Sequence, residues 1–101
     1  IIIDRNYLSV DGNTEELMAQ RDMAQKLNAF GLDAVDVDGH NIEKLYEVLQ
    51  TKTEGKPRVI VAHTIKGKGI SFIENNKEWH QAVLNDANYE RAMEELNRVE
   101  L

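Results

Sequence analysis

Val59-Ile60-Val61-Ala62 restricts this chain more than any other segment. Successive residues of a strand point to opposite faces, so four apolar residues in a row put hydrophobic side chains on both. Such a strand is stable only where both faces are covered, as in the middle of a parallel sheet with helices on either side. Gly55-Lys56-Pro57 breaks the chain just before it, so the strand is expected over Arg58 to His63. The rest of the sequence must supply strands to flank it and helices to cover it.

Those elements can be read. Asp33 to Asp38 places Val35 and Val37 on one side of a second strand, and Gly39-His40-Asn41 turns into a helix with Asn41 as its N-cap. Ile42, Leu45, Tyr46 and Leu49 then fall at i, i+3, i+4 and i+7, a helical period expected to run to near Thr53. Upstream, Asp22-Met23-Ala24-Gln25 has the order of a capping box, Met23, Leu27 and Phe30 share one helical face, and Gly31 stands where a left-handed residue ends a helix. A helix is expected over residues 22–30. Ile1 to Asp4 is a short β-branched run, expected as a buried parallel strand opening into a loop from Arg5 to about Thr14. Trp79 and His80 lie in an irregular stretch. A last helix is expected from Asn85 or Asp86, with Tyr89, Ala92, Met93 and Leu96 on one face. Strands alternating with helices imply the α/β class, here a three-layer α/β/α parallel sheet, and 101 residues suit a single domain spanning residues 1–101.

Charge and composition then exclude several functions. With 12 basic and 18 acidic side chains the chain carries a formal charge of -6, which opposes binding to nucleic acid or to an anionic membrane. No apolar run approaches the roughly 20 residues of a spanning helix. With no cysteine there is no disulfide framework, thiolate nucleophile or sulfur metal site, in keeping with a reducing compartment and an expected cytoplasmic location.

Parallel sheets bind ligands outside the carboxyl ends of their strands, so the loops Asp4–Gly12 and Thr64–Gly69 are the first candidates. Asp4 and Asn6 put hard oxygen donors at a strand end, a donor type suited to Mg²⁺, which keeps water and phosphate oxygens and takes few protein ligands. The same residues also suit hydrogen bonds within a turn, as Asx side chains often make. Thr64-Ile65-Lys66-Gly67-Lys68-Gly69 offers backbone N–H groups and lysines to an anion, or forms a solvated basic turn; neither a Walker loop nor G-x-G-x-x-G is present. His40, His63 and His80 match no zinc spacing and read as capping or packing residues. Asp36-Val37-Asp38-Gly39 imitates part of an EF-hand, but Ala34 and Leu45 occupy ligand positions, so calcium is rejected. Trp79 reads equally as a lid or a core contact.

Taken in order, Asp4-Arg5-Asn6, Ser9-Val10-Asp11-Gly12, Asn28-Ala29-Phe30-Gly31, Val37-Asp38-Gly39-His40, Lys56-Pro57, Ala62-His63-Thr64-Ile65-Lys66-Gly67-Lys68-Gly69 and Trp79-His80 resemble transketolase. More narrowly, the chain resembles the carboxyl-terminal half of the thiamine-diphosphate-binding domain, as in the N-terminal subunit of split bacterial transketolases. The resemblance implies a partial thiamine-diphosphate-binding fold, with thiamine diphosphate and Mg²⁺ as cofactors. It implies transfer of a two-carbon ketol unit between sugar phosphates, and a homo- or hetero-oligomer in which the partner is a second transketolase subunit. Asn6 is then a metal ligand through its side chain and Leu8 through its carbonyl, Asp4 supports that site, and Ile65 packs near the cofactor. His80 corresponds to the catalytic His beside the cofactor diphosphate and the reacting sugar. Two features depart from the family. Its Gly-Asp-Gly motif, which supplies another metal ligand, is absent, and Gln81 stands where Gly usually follows the active-site His. The chain is therefore expected to be a fragment, inactive alone. The alternatives are a truncated or degenerate module kept for binding or assembly, and another thiamine-diphosphate enzyme such as deoxyxylulose-phosphate synthase or a ketoacid dehydrogenase component.

Overall fold

A computed structural model describes residues 1–98. Strand β3 (Arg58–His63) lies between β1 (Ile2–Arg5) and β2 (Asp33–Asp38) and pairs in parallel with both, so the sheet order is β1-β3-β2. Arg5, His63 and Asp38 are level across the sheet, and the three strands end flush at their carboxyl ends. Helices α1 (Thr14–Leu17) and α2 (Met23–Ala29) precede β2, α3 (Ile42–Gln50) joins β2 to β3, and α4 (Asp86–Arg98) closes the described chain.

The two faces of β3 separate as its alternation demands. Val59 and Val61 join Ala34 of β2 and Ala24 of α2, with Ile3, Met23, Leu27 and Leu32 packed around them. Ile60 and Ala62 join Val37 on the opposite face, beneath Leu45 and Val48 of α3. This is the expected helix–sheet–helix sandwich. Val59, Ile60 and Val61 are its most completely buried large side chains, each contributing about 1.5–3 kcal/mol by leaving water.

The helix boundaries follow from local chemistry. Asp22 accepts the Gln25 N–H (2.7 Å) as N-cap of α2. At the other end Gly31 (φ 88°) lets the Leu32 N–H return to the Leu27 carbonyl and its own N–H reach that of Asn28, a Schellman closure. The Asn28 carboxamide then bonds both the N–H and the carbonyl of Ala34, fixing α2 to β2. Asn41 caps α3 by accepting the Lys44 N–H (2.9 Å).

Several expectations are corrected. Strand β1 is buried on one face only: Ile3 and Arg5 are covered, but Ile2 is 60% exposed, because α3 covers β2 and β3 but not this edge strand. Helix α3 stops at Gln50 rather than near Thr53, since Lys52-Thr53-Glu54 bring no apolar group to hold another turn. Only Leu45 of the four residues defining its period faces the sheet, with Val48; Ile42, Tyr46 and Leu49 are exposed, so the apolar stripe is wider than the surface it covers. The short helix α1, capped by Asn13, was too brief to show a period. Trp79, half-buried in a 3-10 turn over Lys77–His80, meets Phe72 edge-on (5.5 Å) outside both core clusters. Among the described residues no helix is long and apolar enough to cross a membrane.

Helix α4 begins at Asp86 as expected, with Asn85 accepting the Asn88 N–H (2.8 Å), and buries Ala92. It is latched to the segment after β3: Glu95 accepts the backbone N–H of Ser71 and its hydroxyl, and the Arg91 guanidinium lies over the Phe72 ring. The Ser71 N–H, then its hydroxyl, and then Arg91 hold the Glu95 carboxyl below its ordinary range.

Ile60→Ala is expected to destabilise the chain by about 2–5 kcal/mol and Ile2→Ala by no more than about 0.5 kcal/mol, compared by urea denaturation. A carboxyl with a depressed folded pKa stabilises above its unfolded value and loses that contribution as pH falls through the folded one. The protection factor of the Ser71 amide, taken against the intrinsic exchange rate at each pH, should accordingly be high near neutral pH and fall once the pH drops below the ordinary glutamate value of 4.5, with Glu95→Gln removing this pH dependence; hydrogen exchange followed by NMR reads both.

Candidate functional site

Beyond the apolar stripes, the same alternation places polar residues at the carboxyl ends of the strands. On the face that packs against α2, Ile3, Ala34 and Val61 are followed two residues later by Arg5, Asp36 and His63. On the other face Asp4 and Thr64 continue the row, and the Thr64 hydroxyl donates to Asp4 Oδ1. The three loops leaving this rim enclose a cleft of about 680 Å³ lined by Asn6, Tyr7, Leu8, His40, His63 and Ile65, among others. A neighbouring hollow of about 510 Å³ shares Asn6, His40, Thr64 and Ile65 and adds Asp4, Lys66 and Lys68.

The loop after β1 is organised by a buried cation. Arg5 is only 5% exposed, and its guanidinium donates to Thr14 Oγ1 (2.8 Å) and to Glu15 while lying 4.3 Å from the Tyr7 ring centroid. A buried charge needs such partners, and they fold the loop back over the strand end. Glu15 also accepts the N–H groups of Arg21 and Gln20, and that backbone bond to Arg21, ahead of Gln20 and Arg5, lowers its pKa.

Within the loop Asn6 Oδ1 accepts the Leu8 N–H (2.9 Å), an Asx turn with Tyr7 in the left-handed region at φ 62°. The turn chemistry allowed for Asn6 is thus made, while a second lone pair on Oδ1 stays available. No donor among the described residues meets the Leu8 carbonyl. Across the cleft His40 Nε2 accepts the Ile65 N–H (2.7 Å), which fixes the start of the Ile65–Gly69 loop and puts the neutral ring's proton on Nδ1. His63 is held from both sides, with Nδ1 2.5 Å from the Tyr7 hydroxyl and Nε2 2.6 Å from Asp36 Oδ1. Because Asp36 only accepts, the Nε2 carries the proton and Nδ1 receives the one from Tyr7.

Asp4, Asn6, Leu8 and Ile65 therefore come together at one rim. His80 does not join them: exposed at the end of its 3-10 turn, it lines neither hollow, though Lys77 of that turn donates to the Asp11 carbonyl (3.2 Å). Gln81 has φ −134°, a backbone that any L-residue adopts, so the absence of Gly there causes no strain. Sequence reasoning gave no site role to Tyr7, Asp36 or Thr64 individually and read His40 and His63 only as capping or packing residues. Their place just past the apolar stripes marks the rim but does not show which of them pair. Among the described residues no group of three His, Asp or Glu side chains is arranged to hold a metal.

A family model described as the thiamine diphosphate binding domain of transketolase matches residues 1–98. The chain belongs to this family. It is 37% identical over 98 residues to an apulose-4-phosphate transketolase subunit of Phocaeicola vulgatus, a match covering 95% of this chain and 35% of that protein. It is 38% identical over 80 residues to human transketolase, covering 78% of the chain and 12% of that protein. The crystal structure of transketolase from Campylobacter jejuni superposes with a TM-score of 0.84 at 28% identity, covering 95% of this chain and 15% of that one. This bears out the α/β expectation, and the chain spans about a third of the length of the Phocaeicola vulgatus relative.

Transketolase-domain packing at the rim is tight at Gly39, whose N–H donates to the His63 carbonyl (2.8 Å). A Cβ there would lie 2.4 Å from Thr64 Cγ2 and 3.1 Å from the His63 carbonyl oxygen. Gly39→Ala should therefore cost about 1–3 kcal/mol through overpacking and break the Thr64–Asp4 hydrogen bond. Thermal denaturation and the Thr64 chemical shift report the two effects.

Proposed function

We propose that this chain is one wall of the cofactor site of a transketolase that uses thiamine diphosphate and Mg²⁺ to transfer a two-carbon ketol unit between sugar phosphates. The observation that carries the reading is the Asn6–Leu8 turn, which brings a carboxamide oxygen with a spare lone pair and an unpartnered carbonyl to the same cleft as Ile65. Both are hard oxygen donors, and two protein ligands suit an ion that keeps water and phosphate oxygens around it. The donor set thus fits Mg²⁺, which Asn6 Oδ1 and the Leu8 carbonyl would hold. Asp4, holding Thr64, supports the strand end beneath the turn. Ile65 gives the cofactor an apolar contact, its backbone steadied by His40.

Thiamine diphosphate held there would supply a thiazolium able to accept electron density from the ketol unit. His80 is proposed to face the diphosphate and the reacting sugar in the assembled enzyme, where its imidazole can donate a hydrogen bond or move a proton. A second, complementary chain is proposed as partner because the Phocaeicola vulgatus and Actinobacillus succinogenes relatives are each named as one subunit of a transketolase. The match to about a third of those relatives supports residues 1–101 as one piece of a larger thiamine-diphosphate-binding domain. The absence of cysteine supports a cytoplasmic setting.

The test uses the full-length subunit with its partner. Asn6→Ala should weaken Mg²⁺-dependent binding of thiamine diphosphate by at least about 10-fold in calorimetry, since even groups behind metal ligands carry that much. His80→Ala should lower ketol-transfer turnover more than metal affinity. Unchanged Mg²⁺ dependence in Asn6→Ala would falsify the ligand assignment.

A further inference from the structure

Tyr7 lies between the two proposed ligands, so its backbone angles set how the Leu8 carbonyl is aimed relative to the Asn6 carboxamide. Its φ of 62° is unusual for a bulky residue and persists only where the surroundings over-determine it. Here they do. The Tyr7 carbonyl accepts the Thr14 N–H (2.9 Å), the Arg5 guanidinium covers the ring, and the hydroxyl donates to His63 Nδ1, whose ring also stacks against Tyr7 at 5.8 Å. His63 in turn cannot rotate freely, because its other nitrogen donates to Asp36 on β2. The contact therefore runs from one outer strand, through the central strand, to the ligand loop beyond the other outer strand.

Resting on the metal reading above, we infer that His63 and Asp36 are positioning residues, acting through Tyr7 to hold the Asn6–Leu8 turn in the conformation that presents both oxygens to one cation. Neither residue touches the ligand oxygens. Losing the tether frees Tyr7 to leave the left-handed region, and the Leu8 carbonyl swings with it.

The experiment takes the full-length subunit, with its partner, in four forms: wild type, Tyr7→Phe, His63→Gln and the double variant. Mg²⁺ affinity with thiamine diphosphate present is read by calorimetry. Hydrogen exchange of the peptide spanning Asn6–Gly12 is read without metal or cofactor. Each single variant should weaken Mg²⁺ binding by about 10-fold and speed exchange at the Leu8 amide. The double variant should be no worse than either single one, because both remove the same hydrogen bond. The defect should lie in the metal concentration required rather than in turnover at saturating metal, and Asp36→Asn should reproduce it in weaker form. Near-isosteric Tyr7→Phe keeps the test open if His63→Gln fails to fold. Unchanged affinity in Tyr7→Phe, or single effects that add in the double variant, overturns the relay. Asn6→Ala run alongside separates the two ideas: weak metal binding there, with normal binding in Tyr7→Phe, removes the relay alone, whereas normal binding in Asn6→Ala removes the metal reading beneath it.

Discussion

The burial of β3 on both faces is the constraint on which the rest depends. Val59 and Val61 need α2 above them, and Ile60 and Ala62 need α3 below, so the helices have little choice of place once this strand exists. Both neighbours of β3 run parallel to it, and parallel pairing forces each connection to cross back over the sheet. All three carboxyl ends consequently fall on one side. The rim of polar residues is a by-product of covering a hydrophobic strand, and a cleft at that rim is where such a sheet has room for a ligand.

The rim is held by hydrogen bonds that reach between strands rather than along them. Arg5 folds its loop inward through Thr14 and Glu15, His40 fixes the start of the Ile65 loop, and Thr64 ties β3 to Asp4. Each side chain belongs to one strand end or loop and bonds another. The geometry of the Asn6–Leu8 turn is therefore set by the whole sheet edge, while the turn itself contains only one internal side-chain bond, from the Leu8 N–H to Asn6.

The core was legible in the sequence because its signals are local. The run at Val59–Ala62, the alternation at Val35 and Val37, the caps at Asp22 and Asn41 and the stop at Gly31 each act within a few residues, and each appears in place. Exposure was less legible. The side chains of Ile2, Ile42 and Tyr46 look the same whether or not another element covers them, and sequence period cannot supply the cover. In the site, Asp4, Asn6, Leu8 and Ile65 could be singled out because a parallel sheet points its strand ends at ligands and because their order resembles a known family. Tyr7, His63 and Asp36 could not, since their contacts join residues 56 and 27 positions apart, and no spacing rule links them. His80 remains outside the cleft that these residues line.

His63 and Thr64 are neighbours in sequence yet serve opposite sides of the sheet, one bonded to Tyr7 and Asp36, the other to Asp4. A strand reads with period two, so its register is a form of addressing: sliding β3 by a single residue would turn the hydroxyl to the face now served by the imidazole, and the imidazole to the face now served by the hydroxyl. An odd number of residues inserted into β3 would therefore put both side chains on the wrong faces. The strand acts as a ruler as well as a core, and the unit of that ruler is one pair of residues.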